Sequence, residues 1–152
     1  VIAFTVPGTP VAKERPRLSN FGGFAHAYTP PKTVRFEKVV RNYAALAMAG
    51  QVAIDGPVAV EIRVFLPVPA SWSRKRCAAA LAGELYPVGR PDLDNYLKAI
   101  LDGMNKVVIT DDARVVGILS SKAYSVEPRV EVLVTPKEKA HDRHGLSELG
   151  VL

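Results

Sequence analysis

The chain has 152 residues, a length typical of one domain that can bury its own core without disulfide or metal staples. Its 20 Lys and Arg outnumber 15 Asp and Glu, for a formal net charge of +5 and a pI near 9.5, which favours an acidic partner such as nucleic acid. A lone cysteine, Cys77, excludes an intrachain disulfide and fits a reducing, cytoplasmic setting. No apolar run reaches the roughly 18–20 residues of a membrane span, so no membrane partner is expected.

Ile2 to Val6 reads as a first strand, closed by Pro7-Gly8. Pro7 to Pro31 is rich in Gly and Pro and reads as an extended arm. From Pro31 a helix runs toward Gly50, with Val34, Val39, Val40, Tyr43, Leu46 and Ala47 as its apolar positions. Between Pro57 and Pro67, Val58, Val60, Ile62, Val64 and Leu66 alternate with Glu61 and Arg63, the pattern of a half-buried strand. A short helix follows to about Ala82, capped by Ser71 or Ser73 and holding Cys77 as a small core residue.

A second long helix is predicted from about Asp94 to Asn105, with Leu97, Ile100, Leu101, Met104 and Val108 in one apolar stripe. Val107 to Ile109 reads as a short strand, Asp111-Asp112 as a turn, and Arg114 to Tyr124 and Arg129 to Thr135 as two strands able to pair as a hairpin. The expected fold class is α+β, a mixed sheet with helices packed on it. Residues 1–136 form the domain, and 137–152 read as a polar tail holding His141 and His144.

Acidic residues collect in one place in this basic chain. Asp92 and Asp94 flank the start of the second long helix, and Lys98 and Asp102 follow Asp94 at spacings of four, on the flank of the apolar stripe. The plainer reading is that Asp92 caps the helix and Asp94 complements its dipole. Asn95 and Lys98 beside the acids, and the further pair Asp111-Asp112, favour a second reading. Carboxylates brought together resist ionising without a cation. Mg²⁺, with Mn²⁺ as its substitute, prefers such hard oxygen ligands and suits phosphodiester chemistry. Of Asp111 and Asp112, adjacent on an extended chain, one is expected to face the site.

Lys13, Arg15 and Arg17 alternate along the arm and would present one cationic face to a phosphate backbone. Arg74, Lys75 and Arg76 form a second basic group. Phe21, Phe24 and Tyr28 supply rings able to stack on bases or to pin the arm to the domain. No phosphate-binding Gly loop, dinucleotide fingerprint or nucleophile elbow is present.

The run Arg90-Pro91-Asp92-Leu93-Asp94-Asn95-Tyr96-Leu97-Lys98, with Leu101 to Asn105, Asp111 to Val115 and Lys122, resembles the RusA family of Holliday junction resolvases. Gly8 to Pro10, Lys13 to Arg17 and Tyr28 to Pro30 are similar to that family's opening segment. The resemblance implies a Mg²⁺-dependent endonuclease, a homodimer acting on four-way DNA junctions. By motif it implies Asp92, Asp94 and Asp112 as catalytic, metal-holding carboxylates and Lys98 as an essential lysine. The two-fold symmetry of a dimer matches that of a junction needing two nicks. A phage or prophage origin is a further expectation of that resemblance. The alternatives are a non-catalytic DNA-binding module, a metal-dependent nuclease preferring flaps or forks, and a structural protein without nucleic-acid affinity.

Overall fold

The computed structural model describes residues 1–138, so the expected polar tail lies outside the described residues apart from its first two positions. The elements are strands β1 (Ile2–Pro7), β2 (Arg17–Phe21), β3 (Phe24–Tyr28), helix α1 (Pro31–Met48), β4 (Val58–Leu66), α2 (Arg74–Leu81), α3 (Leu93–Met104), β5 (Val115–Tyr124) and β6 (Arg129–Pro136). The fold is α+β, as expected. Four strands form one mixed sheet in the order β1-β6-β4-β5, with β4 and β5 parallel and the other pairs antiparallel.

This order corrects the expected β5–β6 hairpin. The four-residue connection after β5 leads β6 past it to the far side of β4, where Val130, Val132 and Val134 become buried beside Val60, Ile62 and Val64. The most apolar strand takes the centre of the sheet because only there are both of its neighbours also strands. The alternation along β4 is as predicted, with Val58, Val60, Ile62 and Val64 buried. Val107 to Ile109 is not a strand. It forms a turn after α3, and Ile109 makes only isolated bridges to Ile54 and Asn105.

Helix α1 is rotated relative to its expected core stripe. Thr33, Phe36, Val40, Ala44 and Met48 face inward, while Val34, Val39, Tyr43 and Leu46 are exposed. The reason is a close helix crossing. A Cβ on Gly103 of α3 would lie 2.7 Å from the Val40 Cβ and 3.0 Å from the Glu37 carbonyl oxygen. Contact at that distance fixes Val40 at the crossing, and Phe36, Ala44 and Met48, at spacings of four from it, turn inward with it. Thr33, polar but buried, donates its hydroxyl to the Ala12 carbonyl at 3.4 Å.

Helix α3 buries Tyr96, Ala99, Ile100, Gly103 and Met104, with Val108 behind it. Leu97 and Leu101 pack only at the edge of that core. Helix α2 begins as predicted: the Ser73 hydroxyl accepts from the Arg76 N–H at 3.3 Å. Cys77 is half-buried, its thiol directed at the Trp72 carbonyl.

The arm holds an element that sequence patterning did not anticipate. β2 and β3 pair antiparallel, separately from the main sheet, and turn through Gly22 and Gly23 at φ 66° and 81°. A two-residue turn with both residues left-handed matches the twist of a hairpin and is open to glycine at no steric cost. The Gly-Gly pair was the available signal.

Candidate active site

Asp92 and Asp94 are delivered by the head of α3. Asp92 occupies the N-cap position in extended geometry (φ −68°, ψ 150°), yet its side chain makes no capping hydrogen bond. Its carboxylate is therefore left free of the task that the plainer reading assigned to it. Asp94 lies two residues further on, in the first turn, and both side chains are exposed.

Two contacts fix this corner. From β5, the Lys122 ammonium donates to the Gly89 carbonyl at 2.9 Å and to the Pro91 carbonyl at 3.1 Å. Lys122 thus ties down the loop that enters α3, in which the Arg90–Pro91 peptide is cis. From the arm, the Lys13 N–H donates to the Asn95 carbonyl at 2.8 Å. The arm consequently runs beside the acidic pair. A cleft of about 840 Å³ is lined by Lys13 to Arg17 on one side and Arg90 to Asp92, Asp94 and Asn95 on the other.

The cations predicted to grip DNA divide into two kinds. Lys13 is not a free cation. Its ammonium is held between Glu37 at 2.6 Å and Asp102 at 2.8 Å, joining the arm to α1 and α3. Burial disfavours its charge, but hydrogen bonds to Asp102 and Glu37 outweigh burial and raise its pKa. The expected row of three is corrected in this respect, because the extended chain turns Lys13 inward while Arg15 and Arg17 stay exposed. Arg17 reaches Glu14 at 3.2 Å across the surface. The same clamp accounts for Asp102, whose carboxylate belongs to Lys13.

Arg74 and Lys75 are exposed in the first turn of α2. Cations there oppose the helix dipole and cost stability, a cost that a bound polyanion offsets. Arg76 instead stacks on Trp72, 3.8 Å from the ring centre, and Trp72 meets Tyr124 edge-on at 5.3 Å. At the hairpin tip, Phe21 and Phe24 are 83% and 74% exposed, so among the described residues they do not pin the arm to the domain.

Lys98 is exposed on α3, one turn beyond Asp94. Asp111 and Asp112 stand elsewhere. Asp111 caps a 3-10 turn over Asp112–Arg114, accepting from the Ala113 N–H at 2.9 Å, and approaches Lys106 at 3.7 Å. The Ala113 N–H first, then Asp112 and Lys106, hold the Asp111 carboxyl below the usual carboxylate range. Asp112 is the more exposed of the two and is not the capping residue.

Among the described residues, no three Asp, Glu, His or Cys side chains of one chain gather closely enough to hold a metal ion. The structure therefore brings Asp92 and Asp94 together with Arg15, Arg17 and Arg90, and leaves Asp112 apart. Arg90 and Lys122 were not singled out as site residues from the pattern alone. The signal for Arg90 was its place two residues before Asp92. For Lys122, fixed through pairing of distant segments, there was no local signal.

The family described as Endodeoxyribonuclease RusA matches residues 7–135. The chain belongs to the RusA endodeoxyribonuclease family. The chain is also similar to "Uncharacterized protein YqaN" of Bacillus subtilis (strain 168), 41% identical over 135 residues, spanning 88% of this chain and 94% of that protein. At the level of the RusA family, the chain is an endodeoxyribonuclease. No helix of the described residues is long and apolar enough to cross a membrane.

RusA resolvases are generally metal-dependent, and the donor set at the head of α3 fits a hard divalent cation. Two exposed carboxylates lie two residues apart, one of them released from capping, with an amide side chain next to them. Mg²⁺ is commonly held by one or two carboxylates, with water and substrate phosphate completing its shell. Two protein carboxylates at an open cleft meet that requirement without a closed cage.

Proposed function

We propose that this chain is a Mg²⁺-dependent endonuclease that resolves four-way DNA junctions by paired nicks. The observation that carries the reading is the Asp92 carboxylate, placed at a helix N-terminus without a capping bond and facing a cleft walled by arginines. Family membership supports the nuclease class. In this reading Asp92 and Asp94 hold the metal, Asp112 supplies a third carboxylate, and Lys98 is the essential lysine.

The bound metal would polarise the scissile phosphate and favour ionisation of an attacking water. Helix α3, whose entry loop Lys122 fixes, gives Asp92 and Asp94 a braced backbone from which to hold it. Lys98, exposed on the same flank, offsets negative charge that builds on the phosphate and the leaving oxygen. Arg15, Arg17 and Arg90 neutralise neighbouring phosphates and set the strand's path through the cleft. Arg74 and Lys75 extend that cationic surface along a second helix.

The test is cleavage of a synthetic four-way junction, a flap and a plain duplex, each with Mg²⁺, Mn²⁺ or chelator. The reading predicts metal-dependent, symmetry-related nicks in the junction and little cutting of the duplex. Preferential cutting of flaps would reassign the substrate. Junction binding without cleavage under either metal would favour a binding module.

A further inference from the structure

We propose that a cavity beside the acidic cleft captures one unpaired nucleobase, turned out of the DNA at the crossover next to the DNA strand to be cut. The inference rests on the junction-DNA reading above and adds to it a site for a base, apart from the carboxylates.

The cavity, of about 440 Å³, lies where the ends of β4 and β5 meet the head of α3. Sites that enclose a small molecule are of this size, roughly 300–1,000 Å³. The arm closes one side of it. The Gly8 N–H donates to the Pro128 carbonyl at 3.0 Å, and the Lys13 N–H to the Asn95 carbonyl at 2.8 Å. The segment between them, which lines the cavity, is thus held at both ends.

The walls suit a flat, aromatic ligand. Pro10, Leu66, Pro67 and Pro87 supply apolar surface, and Tyr96 and Tyr124 add two rings. A base turned out of its stack is held by such aromatic and apolar side chains. Tyr124 is set in advance. Trp72 meets it at 5.3 Å with the ring planes at 69°, and Arg76 of α2 stacks 3.8 Å from the centre of Trp72. Helix α2 and Trp72 therefore fix one wall before any ligand arrives.

One polar group in this wall has no task within the chain. Tyr96 is 4% exposed, yet its hydroxyl makes no hydrogen bond among the described residues and is not sealed off from the cavity that it lines. A buried tyrosine hydroxyl normally finds a partner. Facing a cavity, it is matched by the donor and acceptor edge of a base. Tyr96 stands two residues beyond Asp94, so a base held there belongs to a nucleotide close to the phosphate in the acidic cleft.

The occupant is a base of the bound DNA because the cavity adjoins the cutting cleft. The two share Lys13, Glu14, Arg90 and Pro91 as walls. Lys32 and Arg90, both exposed at the cavity, place cations where the sugar–phosphate backbone would pass. Turning a base out costs least where pairing or stacking is already disturbed, as at a crossover. A plain duplex therefore binds without filling the cavity.

The full chain is tested in chelator, so that nothing is cut. In one set of four-way junctions, 5-iododeoxyuridine replaces each crossover nucleotide in turn, and near-ultraviolet light joins this base to an aromatic ring that it touches. Tyr96 or Tyr124 should carry the cross-link at one crossover position, and neither should when the same DNA strand lies in a plain duplex. Cross-links confined to Phe21 and Phe24, or none to either tyrosine, overturn the proposal.

In a second set, an abasic nucleotide takes that position. By fluorescence anisotropy, wild type should bind it about 10-fold more weakly than the intact junction. Tyr96→Phe keeps the ring and its packing. It should bind the intact junction about 3–10-fold more weakly than wild type does, and the abasic junction equally well. Equal losses by Tyr96→Phe on both junctions place the hydroxyl's action elsewhere and overturn the pocket. Cleavage after Mg²⁺ is added is read separately: no cutting by wild type overturns the nuclease reading, and the cross-link still decides the pocket.

Discussion

The Lys122 ammonium, on the edge strand β5, donates to the carbonyl of Pro91 at 3.1 Å, one residue before Asp92. A second bond, to Gly89 at 2.9 Å, makes the lysine a brace for the loop that delivers the acidic pair. Lys122→Met keeps the aliphatic stem and removes both bonds. Junction binding should be near normal, while the cleavage rate falls roughly 10–100-fold, the scale expected when a reacting group is misplaced by about an ångström. Single-turnover cleavage at saturating protein reads this directly; an unchanged rate would show that the loop holds itself.

Lys13, held by Glu37 and Asp102, behaves as a structural clamp. Lys13→Met should destabilise the fold by about 1–3 kcal/mol, since two carboxylates lose their shared partner. Because the Lys13 pKa is raised, its contribution is fully present below the unfolded-state value of 10.5 and is lost as pH rises through the folded-state value. The stability gap between wild type and variant, measured by denaturant unfolding, should thus be constant from neutrality to about pH 10 and shrink above it. A gap that closes at neutral pH would contradict the clamp.

Gly103 faces Val40 across the α1–α3 crossing. In Gly103→Ala the added Cβ would meet the Val40 side chain at 2.7 Å and the Glu37 carbonyl oxygen at 3.0 Å, so one helix must shift. We expect a loss of about 1–3 kcal/mol from overpacking, against the small gain that alanine otherwise brings to a helix. Thermal unfolding checks the sign. A more stable variant would mean that the crossing has slack.

The hairpin rings Phe21 and Phe24 contact no core and so are free for DNA. Phe21→Ala with Phe24→Ala should leave the melting temperature within a degree or two of wild type. Affinity for junction DNA should weaken by about 1–3 kcal/mol for each base that loses its stacking partner. Fluorescence anisotropy at fixed salt measures it, and equal affinity would assign the rings to another contact.

How much of this was legible in the chain depends on range. Elements set by local chemistry were readable: the alternation of β4, the Ser73 cap of α2 and the placement of Asp92 and Asp94 at the head of α3 all follow from neighbours in sequence. What pairs with what was not. β6 crosses to the far side of β4 because strand burial decides sheet order, and nothing local distinguishes that from a hairpin. The inward face of α1 was misread because a glycine 63 positions beyond Val40 sets the helix distance. Lys13 looked like a DNA contact in an alternating row, and only the fold brings Glu37 and Asp102 to it. The third carboxylate is the furthest case, since Asp112 stands in a 3-10 turn whose place relative to Asp92 no local pattern fixes.

If Asp94 serves a metal-dependent cutting site and not merely the helix dipole, its loss separates binding from cleavage. The direct measurement compares wild type with Asp94→Asn on a four-way junction, reading binding by gel shift and cleavage after Mg²⁺ is added. Junction binding by the variant should be undiminished, and nicking should fall by a factor of at least about 10². Cleavage by Asp94→Asn at the wild-type rate would contradict it.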